Sequence, residues 1–144
     1  MYQADTTFEL DVPPQLLLDV VWEVEHYPEF VRGVKKVELL SRDGGRTRAR
    51  FVAGIAGMEF RYDLEVLRTP SEVTWRRVAG SFRDAAGAMR HLGGRRFRDE
   101  NALDPGFAVP ELAVKFVLGR SLPRLIRELT ERAQALHARR SAAG

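Results

Sequence analysis

The feature that most limits how this chain can fold is an amphipathic stretch near its carboxyl end. Between Leu118 and Leu136 apolar residues recur at steps of three and four, while arginines such as Arg124 fall on the opposite side. This spacing predicts a helix with one buried stripe and one wetted face. From Ser121 to Ala138 the helix would be about 27 Å long, close to a strand of about eight or nine residues. A twisted antiparallel sheet could therefore hold it from end to end. The stripe consists of Leu118, Leu122, Leu125, Ile126, Leu129, Ala133 and Leu136.

The composition is that of one globular domain. Of the 144 residues, 44% are hydrophobic and 30% are charged. We expect a single domain over residues 1–138 and a frayed tail over residues 139–144. No apolar run approaches the roughly 18 residues that a membrane span needs. The amino terminus lacks a signal-peptide pattern and the chain has no cysteine, so we expect a cytoplasmic protein.

The charge pattern argues against a dedicated nucleic-acid interface. The formal net charge is +3, and the 23 basic residues are interleaved with 20 acidic residues. Dispersed arginines are the usual pattern of a solvated surface. We therefore expect no sequence-specific nucleic-acid binding, and we leave transient contact with a membrane or a ribosome open. The sequence does not indicate an oligomeric state.

The first third of the chain predicts one strand and two short helices. Alternation over Thr6–Val12 indicates a strand with one buried face, which Pro13 ends. Pro14 suits the first position of a helix, and apolar residues then recur at helical spacing as far as Val24. A second brief helical turn is expected around Tyr27–Val31.

From Gly33 the apolar residues follow period two, which predicts six further strands. The clearest is Met58–Val66, with apolar side chains on one face and acidic side chains on the other. Arginines of the preceding strand can pair with those acids across the sheet. The last strand, Arg95–Leu103, is the weakest, because its alternation fails. A first helical segment is expected over Phe107–Gly119, before the long stripe.

This order of elements contains no βαβ alternation, so it predicts an antiparallel sheet in an α+β arrangement. Four short motifs add to the pattern: Tyr27-Pro28-Glu29-Phe30, Val73-Thr74-Trp75-Arg76, Gly80-Ser81-Phe82 and Asp104-Pro105-Gly106-Phe107. With them, the chain resembles the polyketide cyclase/dehydrase branch of the START-like (SRPBCC) superfamily, which includes coenzyme Q-binding proteins and ribosome-association toxins. The resemblance implies a helix-grip fold: a seven-stranded antiparallel sheet wrapped around a long carboxyl-terminal helix, with two short helices after the first strand.

The same resemblance implies an internal cavity for an apolar ligand. Large inward side chains are the expected lining, although they could equally form a plain core. Tyr62 and Arg77 are the polar candidates, because a buried phenol or guanidinium needs a partner that a ligand could supply. A bulge at Ala79-Gly80 would instead turn Arg77 outward. The expected ligand-binding residues are Phe30, Phe51, Ile55, Phe60, Tyr62, Leu64, Trp75, Arg77, Met89, Phe107, Phe116 and Leu122.

No pattern in the sequence predicts a catalytic set, a metal site or a cofactor. The three histidines, His26, His91 and His137, have no metal-ligand spacing. The glycine pairs are turn signals, not a phosphate cradle. We therefore favour binding or transport of a lipid, an isoprenoid quinone or a polyketide-like molecule, without catalysis. A polyketide cyclase, aromatase or dehydratase is the alternative, and a ribosome- or RNA-associated interaction protein is the second alternative.

Overall fold

A computed structural model describes residues 2–55, 57–106 and 109–143 of the chain. The strands are β1 (Tyr2–Glu9), β2 (Val34–Asp43), β3 (Arg46–Ile55), β4 (Met58–Arg68), β5 (Glu72–Gly80), β6 (Asp84–Gly93) and β7 (Arg96–Asp104). The helical elements are α1 (Pro14–Trp22), a 3₁₀ turn (Val24–His26), α2 (Tyr27–Phe30), α3 (Glu111–Phe116), a π-helical turn (Val117–Ser121) and α4 (Leu122–Ala143).

The seven strands form one antiparallel sheet, as the sequence predicted. Its order is β1-β7-β6-β5-β4-β3-β2. Strands β2 to β7 follow one another as neighbours, whereas β1 pairs with the last strand, β7. The two edges of the sheet are therefore consecutive in the chain, and α1 and α2 connect them.

The central strands have the two faces that their alternation predicts. On β3, Ala49, Phe51 and Ala53 are buried on the inner face. On the outer face, Arg50 Nε lies 3.0 Å from Asp63 Oδ1 of β4. The predicted pairing of arginines with acids across the sheet is thus present, and the buried face points toward the helices.

The core lies between the inner face of the sheet and the helices. Leu17 and Leu18 of α1 are fully buried, and α4 contributes Leu129 and Ala133 from its predicted stripe. The predicted helix-grip arrangement, in which a curved sheet holds a long carboxyl-terminal helix, is confirmed. None of the helices within the described residues has the length and apolarity needed to cross a bilayer.

Two boundaries, and the regularity of the last strand, differ from the sequence-based expectations. Strand β1 ends at Glu9 and not at Val12, because the chain leaves the sheet there. Leu10 and Val12 then become buried in the core cluster that also contains α1. The weak last strand is a regular β7 that pairs with both of its neighbours. Helix α3 begins at Glu111, after Pro110.

Two expectations concern residues near these boundaries. Phe107, which was expected to begin the first helical segment, lies outside the described residues. Helix α4 continues through Ala143, and fraying of residues 139–144 stays a prediction.

Candidate ligand cavity

A cavity of about 210 Å³ lies between the inner face of the sheet and the long helix. For comparison, a cavity of about 150 Å³ lined by Leu, Ile and Phe stays dry and binds benzene. The space here can therefore hold an apolar body larger than a single ring. Most of its lining is apolar and includes Val21, Val24, Val31, Val34, Phe51, Ala53, Ile55, Leu64, Val66, Trp75, Phe82, Ala85, Leu103, Val117, Leu122, Leu125 and Leu129.

One wall of the cavity depends on a glycine in β6. Gly87 is the cross-strand partner of Trp75 on β5. A Cβ atom built on Gly87 would lie 2.5 Å from atoms of the indole ring, far inside contact distance. The indole can therefore lie close against β6 only because position 87 has no side chain. This packing leaves the space in front of Trp75 open.

Three aromatic rings form a second part of the wall. Phe51 and Tyr62 are stacked with their ring centroids 5.4 Å apart, and Tyr62 also lies 5.7 Å from Phe82. Burial raises the pKa of the Tyr62 phenol to about 12, so the hydroxyl stays protonated at neutral pH. Phe82 adopts a φ of 72°, which is rare for a residue with a large side chain. The turn between β5 and β6 thus holds this ring against the cavity at a cost in backbone strain.

A carboxyl group also lies on the cavity wall. Asp99 of β7 lines the cavity although only 3% of its surface is exposed. Asn101 Nδ2 donates a hydrogen bond of 2.6 Å to Asp99 Oδ2. Burial raises the pKa of Asp99 to about 7, even though the hydrogen bond from Asn101 acts in the opposite direction. A group that titrates near neutral pH can both donate and accept a proton.

Tyr27, at the start of α2, belongs to the same lining but its hydroxyl is already engaged. The Tyr27 hydroxyl donates a hydrogen bond of 2.7 Å to the carbonyl oxygen of Val21. Burial, with the nearby charge of Asp99, raises the pKa of Tyr27. Its ring therefore serves as a neutral wall and its proton is not free for a ligand.

A second polar group of residues lies where the π-helical turn meets α4. Ser121, Arg124 and Glu128 all line the cavity. Arg124 Nε is 3.8 Å from Glu128 Oε1, and Glu128 Oε2 accepts a hydrogen bond of 3.1 Å from the backbone N–H of Arg32. Among the described residues, three side-chain atoms are buried without a hydrogen-bond partner: Ser121 Oγ and Arg124 Nε, whose residues line the cavity, and Arg77 Nε, whose residue does not. The cavity thus has unpaired donors on the helix as well as a carboxyl group on the sheet.

Residues 10–130 match the family model described as polyketide cyclase / dehydrase and lipid transport. The chain belongs to this family. The match begins just after β1 and ends within α4, beyond the residues of that helix that line the cavity. No curated protein sequence is significantly similar to this one.

Three solved structures have the same fold as this chain but low sequence identity to it. A protein from Thermus thermophilus has a TM-score of 0.82 at 19% identity, over 94% of this chain and 99% of that chain. The Zhui aromatase/cyclase from a Streptomyces species has a TM-score of 0.77 at 17% identity, over 92% and 93%. A START superfamily protein from Mycobacterium smegmatis has a TM-score of 0.78 at 21% identity, over 94% and 99%. At these identities the likeness establishes the fold alone.

The structure places the sequence-predicted ligand-binding residues in three groups. Within the described part of the chain, six of them line the cavity: Phe51, Ile55, Tyr62, Leu64, Trp75 and Leu122. The residues that lie off its wall are Phe30, Phe60, Arg77, Met89 and Phe116. Phe107 is outside the described residues.

The residues off the wall contribute to packing instead. Met89 is fully buried in the core, and Phe60 is buried with its ring stacked on Phe82. Phe30 is half-buried, with the Arg132 guanidinium 5.0 Å from its ring centroid. Phe116, also half-buried, lies under Arg120 in the same way. Phe60 and Met89 therefore fit the alternative of a plain core that the sequence left open, and Phe30 and Phe116 pack near the surface.

The expectation that Arg77 supplies the polar end of the cavity needs correction. Strand β5 has a register shift opposite Asp63 and Leu64, close to the bulge that the sequence suggested. Arg77 is still the partner of Leu64, but its Nη2 donates a hydrogen bond of 2.7 Å to the carbonyl oxygen of Gly80. The guanidinium is thus directed along its own strand and does not reach the cavity.

Apart from Tyr62, sequence reasoning missed the polar residues that line the cavity. Asp99 and Asn101 are the reason why alternation fails on β7, because they occupy inward positions that usually carry apolar residues. That failure was the available signal. Arg124 was assigned to the wetted face of the helix, whereas its Nε is buried. No sequence signal distinguished it from the other arginines of the helix, since its position depends on contacts with Glu128 and Gly33 that only the folded chain shows.

Proposed function

We propose that this protein binds an apolar small molecule inside the cavity, as a carrier or sequestering protein. The single observation that supports the proposal best is the cavity itself, which lies between sheet and helix and has a mainly apolar lining. Such pockets, with a few placed polar groups, are the usual form of a small-molecule site. The family description, which includes lipid transport, supports the same class of function.

The ligand class that fits is a compact lipid, an isoprenoid quinone head or a polyketide-like aromatic. A purely polar metabolite is disfavoured because it would lose its hydration without gaining enough hydrogen bonds. An apolar ligand would gain about 25 cal/mol for each Å² that it removes from water. Occupancy would therefore be driven by burial, and the polar groups of the wall would set which apolar molecule is preferred.

The test is native mass spectrometry of freshly purified protein, followed by organic extraction of what it retains. The matched variants are Ala85→Phe, which places a ring in the cavity, and Ala135→Phe, which places the same ring on the exposed face of α4. Wild type and Ala135→Phe should retain an apolar molecule that Ala85→Phe lacks. Equal retention by all three would contradict binding in the cavity. Empty wild-type protein that co-sediments with ribosomes in low salt would favour an interaction protein instead.

Asp99 supports a second candidate function, acid–base catalysis on a carbonyl compound in the same cavity. A carboxyl group with a pKa of about 7 could remove a proton next to a ketone and return it to a departing hydroxyl group. Dehydration of a β-hydroxy ketone needs these two transfers, and it releases one water. The family description names cyclases and dehydrases.

This candidate is tested by following dehydration of a β-hydroxy ketone on a naphthalene body, with Asp99→Asn as the variant. The amide keeps the shape of the carboxyl group but cannot exchange the proton. If Asp99 is catalytic, the variant should bind the ketone as well as wild type does and lose at least about a hundredfold in rate, the typical contribution of general acid–base catalysis. If the rates of the two proteins agree within a factor of about three, Asp99 is not catalytic and ligand carriage remains the proposed function.

A further inference from the structure

Two hydrogen-bond donors in the cavity have no hydrogen-bond partner within the described part of the chain. Ser121 Oγ and Arg124 Nε are both buried, and neither has a hydrogen-bond acceptor among the described residues. Their residues are three apart in the helical segment, a spacing that places side chains on the same face. Both residues line the cavity. The two donors are therefore available to one bound molecule.

Leaving such donors unpaired is unfavourable. Most buried polar side-chain atoms in proteins have a hydrogen-bond partner, and a buried donor without one costs about 1–3 kcal/mol. Two of them in one apolar cavity indicate that the partner comes from outside the chain. The partner must present an acceptor, because a guanidinium only donates and the hydroxyl needs an acceptor for its proton.

The charge around Arg124 decides which kind of acceptor fits. Glu128 Oε1 lies 3.8 Å from Arg124 Nε, and the side chain of Glu128 is only 16% exposed. Glu128 is itself held in place by the backbone N–H of Arg32. The positive charge of Arg124 is therefore already balanced by a fixed carboxylate. A ligand carboxylate would bring a second negative charge close to Glu128, whereas a carbonyl oxygen would not.

The position of the guanidinium is also restricted by the backbone. A Cβ atom on Gly33, just before β2, would lie 3.4 Å from Arg124 Nη2. The guanidinium therefore lies against a residue without a side chain, and Glu128 holds it from the next turn of the helix. Arg124 is fixed on two sides before any ligand arrives, which lowers the cost of forming a hydrogen bond.

We propose that Ser121 and Arg124 form a recognition site for one neutral acceptor oxygen, the carbonyl of a ketone, ester or quinone whose apolar body fills the cavity. This inference rests on the proposed binding function and adds the head group and its orientation. The carbonyl points toward the junction of the π-helical turn with α4, and the apolar body lies against the sheet near Trp75. Neither donor was among the residues that the sequence suggested for this role.

The test uses three probes that share a naphthalene body: acetonaphthone with a ketone, ethylnaphthalene without oxygen, and naphthoate with a carboxylate. Isothermal titration calorimetry measures the affinity of wild type and of variants for each probe. Wild type should bind acetonaphthone at least about tenfold more tightly than either of the other two. In Ser121→Ala combined with Arg124→Met, acetonaphthone should lose that preference while ethylnaphthalene binds as before.

Three further variants separate recognition from folding. Ser121→Ala alone leaves the Arg124–Glu128 pair intact and should reduce the preference for the ketone about threefold or more. Arg127→Met removes an exposed arginine of the same helix and should change nothing. Glu128→Gln removes the fixed negative charge, so naphthoate should gain affinity relative to acetonaphthone. Circular dichroism of each variant verifies the fold.

The outcomes distinguish the head-group site from the cavity. If ethylnaphthalene binds wild type as tightly as acetonaphthone does, the carbonyl site is refuted and the cavity function stands. If naphthoate binds most tightly, the site recognises anions and the charge argument is wrong. If none of the three probes binds, both the proposed function and the carbonyl site are contradicted.

Discussion

Strands β4 and β7 belong to the same sheet and face the same helix, yet their sequences differ. On β4 the inner face is apolar, and acids such as Asp63 occupy the outer face, where they pair with arginines of β3. On β7 the inner face begins with the fully buried Phe97 and then carries Asp99 and Asn101. Strand β4 presents apolar side chains to the core and the cavity, whereas β7 contributes core at one end and polar cavity wall at the other.

The difference shows what a broken alternation can mean. An inward polar residue is unfavourable in a core unless it has a partner. The inward carboxyl of Asp99 has Asn101 as a partner and faces a cavity. A strand that pairs on both sides but fails to alternate is therefore a candidate for the functional wall of a sheet.

The largest effect on stability is expected from removing a buried aromatic ring, and it should be similar in β4 and β7. Phe60→Ala on β4 and Phe97→Ala on β7 each remove a buried ring. Each should lower the free energy of unfolding by about 3–5 kcal/mol, measured by urea denaturation. Leu92→Ala, at a half-exposed position, is the control and should cost much less. A cost below about 1 kcal/mol for Phe97→Ala alone would mean that β7 is not part of the core.

The next largest effect is a pH dependence of the free energy of unfolding, which distinguishes β7 from β4 because it arises from Asp99. The raised pKa of Asp99 means that between about pH 4 and pH 7 the folded protein holds a proton that the unfolded chain has lost. The free energy of unfolding should therefore fall as pH rises through this range, by up to about 4 kcal/mol at about 1.4 kcal/mol for each pKa unit. Asp99→Asn removes this titration, so its stability should depend much less on pH.

The same comparison controls for other titrating groups. His26 also has a raised pKa, through its hydrogen bond with Glu29, and its contribution likewise declines as pH rises. That contribution is present in both proteins and cancels in the difference between wild type and Asp99→Asn. Asp5 of β1 and Glu100 of β7 carry the charges that also raise the pKa of Asp99. Parallel pH profiles in the two proteins would show that Asp99 titrates normally.

A smaller effect on stability is expected from a substitution in β6, which lies between β4 and β7 in the sheet. Gly87→Ala would place a Cβ atom against the indole of Trp75. The ring must then move into the cavity, and overpacking of this kind costs about 1–3 kcal/mol. Acetonaphthone affinity and the tryptophan emission should both change. Gly93→Ala, at the last residue of β6, has no atom within 4 Å of the new Cβ and serves as a comparison for stability, although its positive φ adds some strain.

The smallest effect is expected on the outer face of β4. Asp63→Asn breaks the pair with Arg50, whose side chain is half-exposed. Exposed pairs of this kind contribute about 0.2–1 kcal/mol, and less in high salt. Urea denaturation at low and high salt measures this difference. A loss above about 2 kcal/mol would show that outer charges matter more than the comparison of the two strands assumes.

These contrasts explain how much the sequence could predict. Residues 46–66 alternate cleanly, so the sheet, its inner face and the cross-strand ion pairs were predictable. The stripe that includes Leu129 predicted the helix that the sheet holds. Six of the lining residues were predictable because large inward side chains next to that helix have few other places to lie. The polar wall was not, because polar residues on inward positions obscure the period that identifies a strand.

The helix posed a different problem. An ideal wheel assigns each residue a direction from its distance along the chain, and on that wheel Arg124 belongs with the exposed arginines. The π-helical turn at Val117–Ser121 changes the phase between α3 and α4. Arg124 and Leu129 both lie within α4, however, so the turn does not alter their relative directions. The burial of Arg124 Nε follows instead from the position of its long side chain between Glu128 and Gly33, which a wheel does not show.

That turn also determines how the cavity could be altered by a change in chain length. A π-helical turn contains one residue more than an α-helical turn, and each helical residue rotates the following side chain by about 100°. Deleting Gly119 would therefore restore a regular helix and rotate Glu111–Phe116 by about that angle relative to Ser121 and Leu122. A single-codon deletion would thus turn Val117, which lines the cavity, in a different direction, while Ser121 and the lining residues of α4 kept theirs.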